Sequence, residues 1–255
     1  MSLSLVTVGT GTAAPSKARS SPAHWVETGD IRLLMDCGAG TVHRLARFDL
    51  PWDRVTHVAL THFHTDHVGE LPALLFALRY ATVPRRSEPL VLLGPPGTVE
   101  LLDRMAAAFG PWVSAPGFPL VTLDVVPDEP FPLAADVWLE CVKVPHTAES
   151  IAYAVRADGV RLVYTGDTGP SDALAAWAAG CELLLAECSL PEPLPDDTHL
   201  TPRLAGELAH RAAAKRLVLT HFYPPVEAVD IAALVAGAFA GPVSLANDGG
   251  RFVIG

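Results

Sequence analysis

Most apolar segments of this chain are short, rich in β-branched residues and bounded by glycine, proline or aspartate, which is typical of β-strands. Other segments repeat apolar residues every three or four positions and predict helices. The predicted strands are 3–8, 23–27, 31–35, 56–60, 90–93, 120–126, 137–144, 150–156, 160–165, 182–186, 216–220, 243–246 and 251–254. The predicted helices are 40–48, 68–81, 98–109, 171–179, 202–213 and 226–238. Sheet-rich segments occur in both halves, each accompanied by helices, an order that two face-to-face sheets with outer helices would satisfy.

Two local signals fix the ends of elements. Thr201 followed by Pro202 is an N-cap with proline at the first helical position, so it marks the start of helix 202–213. Asp158-Gly159 stands between two apolar strands and predicts a tight β-hairpin.

Composition favours one well-buried unit. The chain has 255 residues, of which 50% are apolar and 18% charged, and it contains no low-complexity segment, so we expect a single domain over 1–255. The four cysteines form no CxxC pair and lie in or beside apolar runs, which predicts buried free thiols.

A membrane span is not expected. The longest uncharged stretch, Met105–Leu123, is interrupted by three prolines and two glycines, and 231–247 is broken in the same way. Met1 leads directly into a strand-like alternation without a basic start, so we expect a cytoplasmic protein with no membrane partner. The net charge of −10 argues against a broad nucleic-acid-binding face.

The polar run THFHTDHVGEL, residues 61–71, lies between two apolar segments. His62 and His64 alternate, so in an extended loop both side chains point to one side. Asp66 and His67 then stand at the start of the next helix, where an aspartate is a good N-cap and a turn can bring them back toward the first pair. Imidazole and carboxylate groups at this density predict a divalent-metal site.

Three further polar residues each follow an apolar strand: His146 after 139–145, Asp167 after 162–166 and His221 after 217–220. Loops at strand ends are where rigid scaffolds gather functional groups. Together with the first run they make seven candidate ligands, too many for one tetrahedral zinc. A two-metal site with a bridging carboxylate fits that number.

The HxHxDH run, His146, the turn Gly166-Asp167-Thr168-Gly169 and the strand end Leu219-Thr220-His221 together resemble the metallo-β-lactamase fold superfamily. The resemblance implies an α/β protein, an αββα sandwich of two mixed β-sheets with outer helices and with metals at one edge. It implies one ion held by His62, His64 and His146, and a second held by Asp66, His67 and His221. Asp167 would bridge two divalent ions, for which zinc is expected, with manganese and iron as alternatives.

Within the superfamily, the branch depends on other residues. β-Lactamases of this fold commonly carry cysteine at the bridging position, where this chain has Asp167. Flavodiiron proteins place a carboxylate inside the first run and attach a flavin domain, and this chain has neither. Glyoxalase II shares all seven ligand types but adds a C-terminal helical domain, whereas only 34 residues follow His221 here.

Three segments are similar to ribonuclease Z. They are Gly9–Ser20 with its Pro-x-Lys-x-Arg loop, Leu34–Thr41, and the pair formed by Glu187 and Thr198-His199-Leu200-Thr201. The resemblance implies that Lys17 and Arg19 contact substrate, that Glu187 and His199 form a proton relay, and that the protein forms a homodimer.

The resulting hypothesis is a ribonuclease Z-like phosphodiesterase. A metal-bridging hydroxide oriented by Asp66 would attack the phosphodiester, and His199 polarised by Glu187 would protonate the leaving alkoxide. His146 and Asp167 are 21 positions apart, which leaves no room for the tRNA-gripping arm of ribonuclease Z. We therefore expect an RNA 3′ end, including a tRNA precursor, or a small cyclic or nucleotide phosphodiester as substrate. Thioester or other acyl hydrolysis of the glyoxalase II kind and a non-catalytic metal-binding protein are the alternatives.

Overall fold

The computed structural model describes residues 2–194 and 197–255, and the strands within these ranges form two sheets of seven. The first sheet has the order β14-β1-β2-β3-β4-β5-β6 and the second the order β13-β12-β11-β10-β9-β8-β7. The strands are β1 Leu3–Gly9, β2 Ala23–Thr28, β3 Ile31–Met35, β4 His57–Ala59, β5 Leu90–Gly94, β6 Leu120–Asp124, β7 Phe131–Ala134, β8 Val137–Lys143, β9 Ile151–Ala157, β10 Val160–Tyr164, β11 Leu183–Glu187, β12 Leu217–Thr220, β13 Val243–Leu245 and β14 Gly250–Ile254.

The helices pack outside the sheets. They are α1 Thr41–Arg47, α2 Thr65–Val68, α3 Leu71–Tyr80, α4 Thr98–Phe109, α5 Asp172–Trp177, α6 Pro202–Arg211 and α7 Ile231–Ala236, with 3-10 turns at Trp52–Arg54 and Val226–Ala228.

Buried hydrophobic side chains form three clusters. Between the sheets, Leu5 and Leu33 of the first sheet pack in one cluster with Tyr153 and Leu185 of the second. A second cluster joins the outer face of the second sheet to α5, α6 and α7, and a third joins the first sheet to α1, α3 and α4. Each sheet therefore has helices on its outer face, and the predicted αββα sandwich of two mixed sheets is confirmed.

Strand direction brings the functional loops together. In the first sheet β3, β4, β5 and β6 run parallel, and in the second sheet β10, β11, β12 and β13 do. Parallel strands present their carboxyl ends at one edge, which is where open α/β sheets bind ligands. The loops after β4, β10 and β12 carry the ligand run, Asp167 and His221 respectively.

Both local signals are confirmed. Thr201 Oγ1 accepts a hydrogen bond from the backbone N–H of Leu204 at 3.2 Å, so it caps α6. Asp158 and Gly159 take φ values of 49° and 76°, the left-handed pair that a two-residue hairpin between β9 and β10 requires.

Several predicted boundaries are wrong. Helix 68–81 is divided into α2 and α3 at Gly69-Glu70, and α2 begins at Thr65, so Asp66 lies in its first turn rather than at the N-cap. Helix 226–238 is a 3-10 turn followed by α7, because the Asp230 carboxylate accepts from Ala233 N–H and starts a new helix. Strand β7 was missed because it contains Pro132, which an edge strand tolerates.

Cys37, Cys141, Cys181 and Cys188 are buried free thiols, as predicted. Within the described ranges, every helix is too short or too polar to cross a bilayer.

Candidate metal centre

Four predicted ligands converge in a first group. The ligand atoms of His62, His64, His146 and Asp167 lie within 4.8 Å of one another. His64 presents Nδ1 to Nε2 of His146 at 3.2 Å. His62 is fully buried and His64 is exposed, so this group reaches from the core to the surface.

The other three predicted ligands, Asp66, His67 and His221, form a second group within the same distance limit. Nε2 of His221 lies 3.6 Å from Oδ2 of Asp66, and Nε2 of His67 lies 3.9 Å from that oxygen. All three side chains are buried. The structure therefore brings together every metal ligand that the sequence predicts.

Asp167 faces both groups with different oxygen atoms. Its Oδ2 lies 3.7 Å from Nε2 of His146 and 3.9 Å from Nε2 of His62. Its Oδ1 lies 3.2 Å from Nε2 of His67 and 3.3 Å from Nε2 of His221. This division is the arrangement in which one carboxylate can bind two neighbouring cations.

Hydrogen bonds to the Nδ1 atoms leave the Nε2 atoms to face Asp167. The Nδ1 of His67 donates to Oδ2 of Asp36 at 2.8 Å, and the Nδ1 of His146 donates to the carbonyl of Thr198 at 2.9 Å. Because carboxylate and carbonyl oxygens only accept, the neutral ring must carry its proton on Nδ1. Its Nε2 lone pair is then free to bind a metal, as in the carboxylate–histidine–zinc arrangement.

The unpaired polar atoms of the site fit bound divalent cations. Among the residues that the structure describes, Nε2 of His62, His67 and His221 and Oδ1 of Asp167 are buried atoms without a hydrogen-bond partner. Leaving such acceptors unsatisfied in the interior costs free energy. Because these lone pairs point toward one another, divalent cations would satisfy them together, and imidazole nitrogen with carboxylate oxygen suits zinc, manganese or iron.

The electrostatics of the metal-free site agree with that fit. Burial favours the neutral acid, but the neighbouring His221 and His67 outweigh it and hold the pKa of Asp167 well below its usual range. Burial likewise opposes a charged His67, yet the carboxylates of Asp167 and Asp36 raise its pKa well above the ordinary value. The carboxylates that favour a proton on His67 would equally favour a metal cation at its Nε2, and binding that cation requires the ring to be neutral.

The predicted relay pair lies next to these ligands. Nδ1 of His199 is 3.0 Å from Oε1 of Glu187, at the buried end of β11. The same carboxylate accepts from the backbone N–H of Thr168 at 2.7 Å and of Leu200 at 3.1 Å, so its orientation is fixed. The His199 ring stacks 5.8 Å from that of His221, so it borders the second group of ligands.

The predicted substrate contacts are placed differently. Lys17 is exposed in the loop after β1. Arg19 is mostly buried: its Nε donates to Glu227 at 2.8 Å, and its Nη1 donates at 2.6 Å to both Thr10 Oγ1 and the carbonyl of Ala246. Its guanidinium also covers the ring of Phe222, next to His221. Arg19 thus braces the loop that carries a ligand, and its contact with substrate stays a prediction.

Asp36, for which the sequence predicts no role, has one in the structure. Besides His67, this buried carboxylate accepts from Tyr164 Oη at 2.8 Å and from the backbone N–H of Thr61 at 2.8 Å. Asp36 directly follows a buried strand, as Asp167 nearly does, and that position was the available signal. Asp36 and His221 both take left-handed φ values, 59° and 60°, which non-glycine residues adopt at a cost of about 1 kcal/mol or more.

Ser189 and Tyr223 were also missed. Ser189 lies between Glu187 and His221, and alternation from Glu187 could have indicated it. The ring of Tyr223 lies 5.9 Å from that of His221 and 6.3 Å from that of His199. Burial, and then the charges of nearby carboxylates, raise the pKa of Tyr223, so its phenol is a neutral hydrogen-bond donor beside the site.

Known proteins resemble this chain in sequence and in fold. A family model described as the β-lactamase superfamily domain matches residues 31–222. A ribonuclease Z of Mycobacterium sp. (strain KMS) is 32% identical, over 94% of this chain and 92% of the relative. The chain belongs to the β-lactamase superfamily, in its ribonuclease Z-like branch.

Other relatives agree with this assignment. A ribonuclease Z of Mycobacterium bovis BCG (Pasteur strain) is 29% identical, and the match covers 96% of each chain. Human tRNase Z, short form, superposes with a TM-score of 0.80 at 25% identity over 99% of each chain. The metallo-β-lactamase fold protein YhfI of Bacillus subtilis shares the fold alone: it superposes with a TM-score of 0.85 over 99% of this chain and 100% of its own, at 22% identity. This ribonuclease Z-like chain is accordingly a metal-dependent hydrolase.

Proposed function

We propose that this protein is a dinuclear-metal phosphodiesterase of the ribonuclease Z type. The observation that carries the proposal is Asp167, whose two oxygens divide between two groups of ligands. His62, His64 and His146 would hold one cation, Asp66, His67 and His221 would hold the other, and Asp167 would contribute one oxygen to each. Zinc is the expected ion, with manganese and iron as alternatives. Two such cations would acidify a bound water and stabilise negative charge on the phosphoryl oxygens.

The chain's own groups supply the proton transfers. Asp66 lies at the second group of ligands, where its carboxylate can accept a proton or a hydrogen bond from the attacking water. His199, held by Glu187, lies beside the same group and would protonate the leaving alkoxide oxygen. A carboxylate on Nδ1 stabilises the imidazolium form, so the pair can hold a proton and release it from Nε2.

The matched curated relatives are ribonucleases Z and one structural neighbour is a tRNase Z, which supports RNA as the substrate class. Between His146 and Asp167 this chain has only the hairpin of β9 and β10. We therefore propose an RNA 3′ end or a small nucleotide diester rather than a tRNA gripped by an arm at that place. A cytoplasmic location and a homodimer remain predictions from the sequence.

The test is an assay of the purified protein, stripped with chelator and then reconstituted separately with zinc, manganese or iron. We expect hydrolysis of bis(p-nitrophenyl) phosphate and of a short 3′-extended RNA, lost on chelation and restored by metal. A precursor tRNA, cyclic nucleotides and a glutathione thioester complete the panel. Activity on the thioester alone would overturn the proposal.

A further inference from the structure

A cleft of about 590 Å³ lies against the outer side of the ligand loops. One wall is the start of α4 and the turn before it, with Pro96, Gly97 and Leu101. The opposite wall is the loop that carries His146, with Ala148 and Glu149. The cleft is thus lined by Phe63 of the ligand run and by residues of the loop that carries His146.

Phe63 lines this cleft from within the ligand run, between His62 and His64. Its ring is half-buried and packs on Gly97, where an added Cβ would lie 3.2 Å from Cε2 of the ring. Gly97 also has a φ of 106°, a conformation that favours glycine. The backbone at Gly97 therefore leaves space for the ring of Phe63, which is held at a fixed place beside the metal site.

The two basic residues of the cleft, Arg104 and Lys143, already have partners. Arg104 pairs with Glu100 one turn earlier on α4, at 2.6 Å. Lys143 Nζ donates to the carbonyls of Thr147, Ala148 and Ser150 at 2.8, 2.6 and 3.1 Å. The two cations and the two anions of the lining, Glu100 and Glu149, cancel formally. Such a lining suits an uncharged planar group better than another phosphate.

A second cavity, of about 500 Å³, has the opposite character. It is lined by Arg44, Arg47 and His43 on α1 together with the loop after β1. The two cavities therefore suit different chemical groups. The basic cavity attracts a phosphate chain, whereas the cleft lined by Phe63, here called the Phe63 cleft, offers an aromatic face and apolar walls.

We propose that the Phe63 cleft is a subsite for the nucleobase of a nucleotide whose phosphate lies at the metal centre, with the base against the ring of Phe63. The proposal rests on the proposed function for the place of the phosphate. Stacking on an aromatic side chain suits every base, because each presents a π-face, so the subsite selects nucleotides without selecting sequence.

The test is equilibrium binding to the zinc-reconstituted protein, measured by calorimetry with adenosine 5′-monophosphate and with ribose 5-phosphate. The two ligands share the sugar phosphate and differ in the base, so their ratio of Kd values reports the subsite. We expect adenosine 5′-monophosphate to bind about tenfold more tightly. Phe63→Leu should reduce the ratio nearly to one, and Phe63→Trp, which keeps an aromatic face, should restore it.

Phe76→Leu is the matched control, since Phe76 is 49% exposed on α3 and does not line the cleft. Zinc content is measured for each variant, because Phe63 adjoins two ligands. If Phe63→Leu loses zinc, Leu101→Ala on the far wall makes the same test, and it too should lower the ratio.

Equal binding of the two ligands by the wild-type protein would overturn the subsite, whatever the protein hydrolyses. A ratio unchanged in Phe63→Leu or Leu101→Ala with zinc bound would overturn it as well. A normal ratio in a protein that cleaves none of the diesters would reject the phosphodiesterase and leave the subsite supported.

Discussion

The hydroxyl of Ser189 lies 2.8 Å from Nδ1 of His221. It also donates its single proton to the carboxylate of Glu187, so its oxygen must accept from the ring N–H of His221. One buried serine therefore joins a candidate metal ligand to the candidate proton relay, and it sets the tautomer that leaves Nε2 of His221 free.

Ser189→Ala should weaken zinc binding by about 10- to 100-fold, because the Nδ1–H of buried His221 loses its acceptor. Competition with a chromophoric chelator measures the affinity. Ser114→Ala, at an exposed serine, is the control and should bind zinc as the wild type does. Unchanged affinity in Ser189→Ala would contradict this role.

Asp36→Asn should lower the stability of the metal-free protein, because Asp36 holds the ring of His67 in the second group of ligands. The amide oxygen can accept from only part of the set formed by His67, Tyr164 and Thr61, so a buried donor is left unpaired. We expect a loss of about 1–3 kcal/mol in the free energy of unfolding of the metal-free protein. Urea titration measures it, and Asp136→Asn at an exposed aspartate should change it little. Equal stability of the two variants would reject the prediction.

Lys143→Met should act on one group of ligands. Its ammonium binds three carbonyls of the loop that carries His146, so its loss leaves that loop without its central donor. We expect the two zinc equivalents to separate in a titration, with one bound about tenfold more weakly. Lys215→Met, at an exposed lysine paired with Glu182, should bind both as before. If Lys143→Met binds both zinc ions with equal affinity, Lys143 does not hold the loop that carries His146 in place.

His199→Ala should have an effect that depends on the leaving group. An alkoxide needs a proton to leave, so kcat on an RNA diester should fall about 10²- to 10⁴-fold. p-Nitrophenolate leaves without one, so bis(p-nitrophenyl) phosphate should be hydrolysed at nearly the wild-type rate. Glu187→Gln should show the same pattern more weakly, since it keeps the position of the ring. Equal losses on both substrates would assign His199 a structural role instead.

His24 should make the fold sensitive to acid. It is fully buried, and neither ring nitrogen has a hydrogen-bond partner within the described part of the chain. Burial, and then the nearby His67 and His221, lower its pKa from 6.5 to about 3. The unfolded state therefore binds the proton first, and stability is full above pH 6.5 and is lost as pH falls toward 3. At pH 5 this linkage costs about 2 kcal/mol.

His24→Phe should remove that part of the pH dependence. The ring of His24 packs edge-on against Tyr164 at 4.6 Å, a contact that phenylalanine can keep. Urea unfolding of the metal-free protein at pH 7 and pH 5 gives the difference, and His210→Gln at an exposed histidine should behave as wild type. The prediction fails if the variant and the wild type lose the same stability between these two pH values.

Much of this protein follows from local sequence. The alternation of His62 and His64 and the places of His146, Asp167 and His221 after strands all depend on residues near each other in the chain. Those rules located the seven ligand candidates, and the short strands bounded by turn residues located most elements of the sandwich. Boundaries such as Gly69-Glu70 were missed because a helical pattern continued across a break.

Only the tertiary structure decided which atoms from distant parts of the chain meet. It divides the oxygens of Asp167 between the two groups of ligands, places Asp36 behind His67 and Ser189 behind His221, and uses Arg19 as a brace rather than leaving it exposed. Chemistry that comes from a residue's own type and local spacing can be read from the sequence. Hydrogen bonds between residues 30 to 230 positions apart cannot, because their geometry exists only after the sheets have packed.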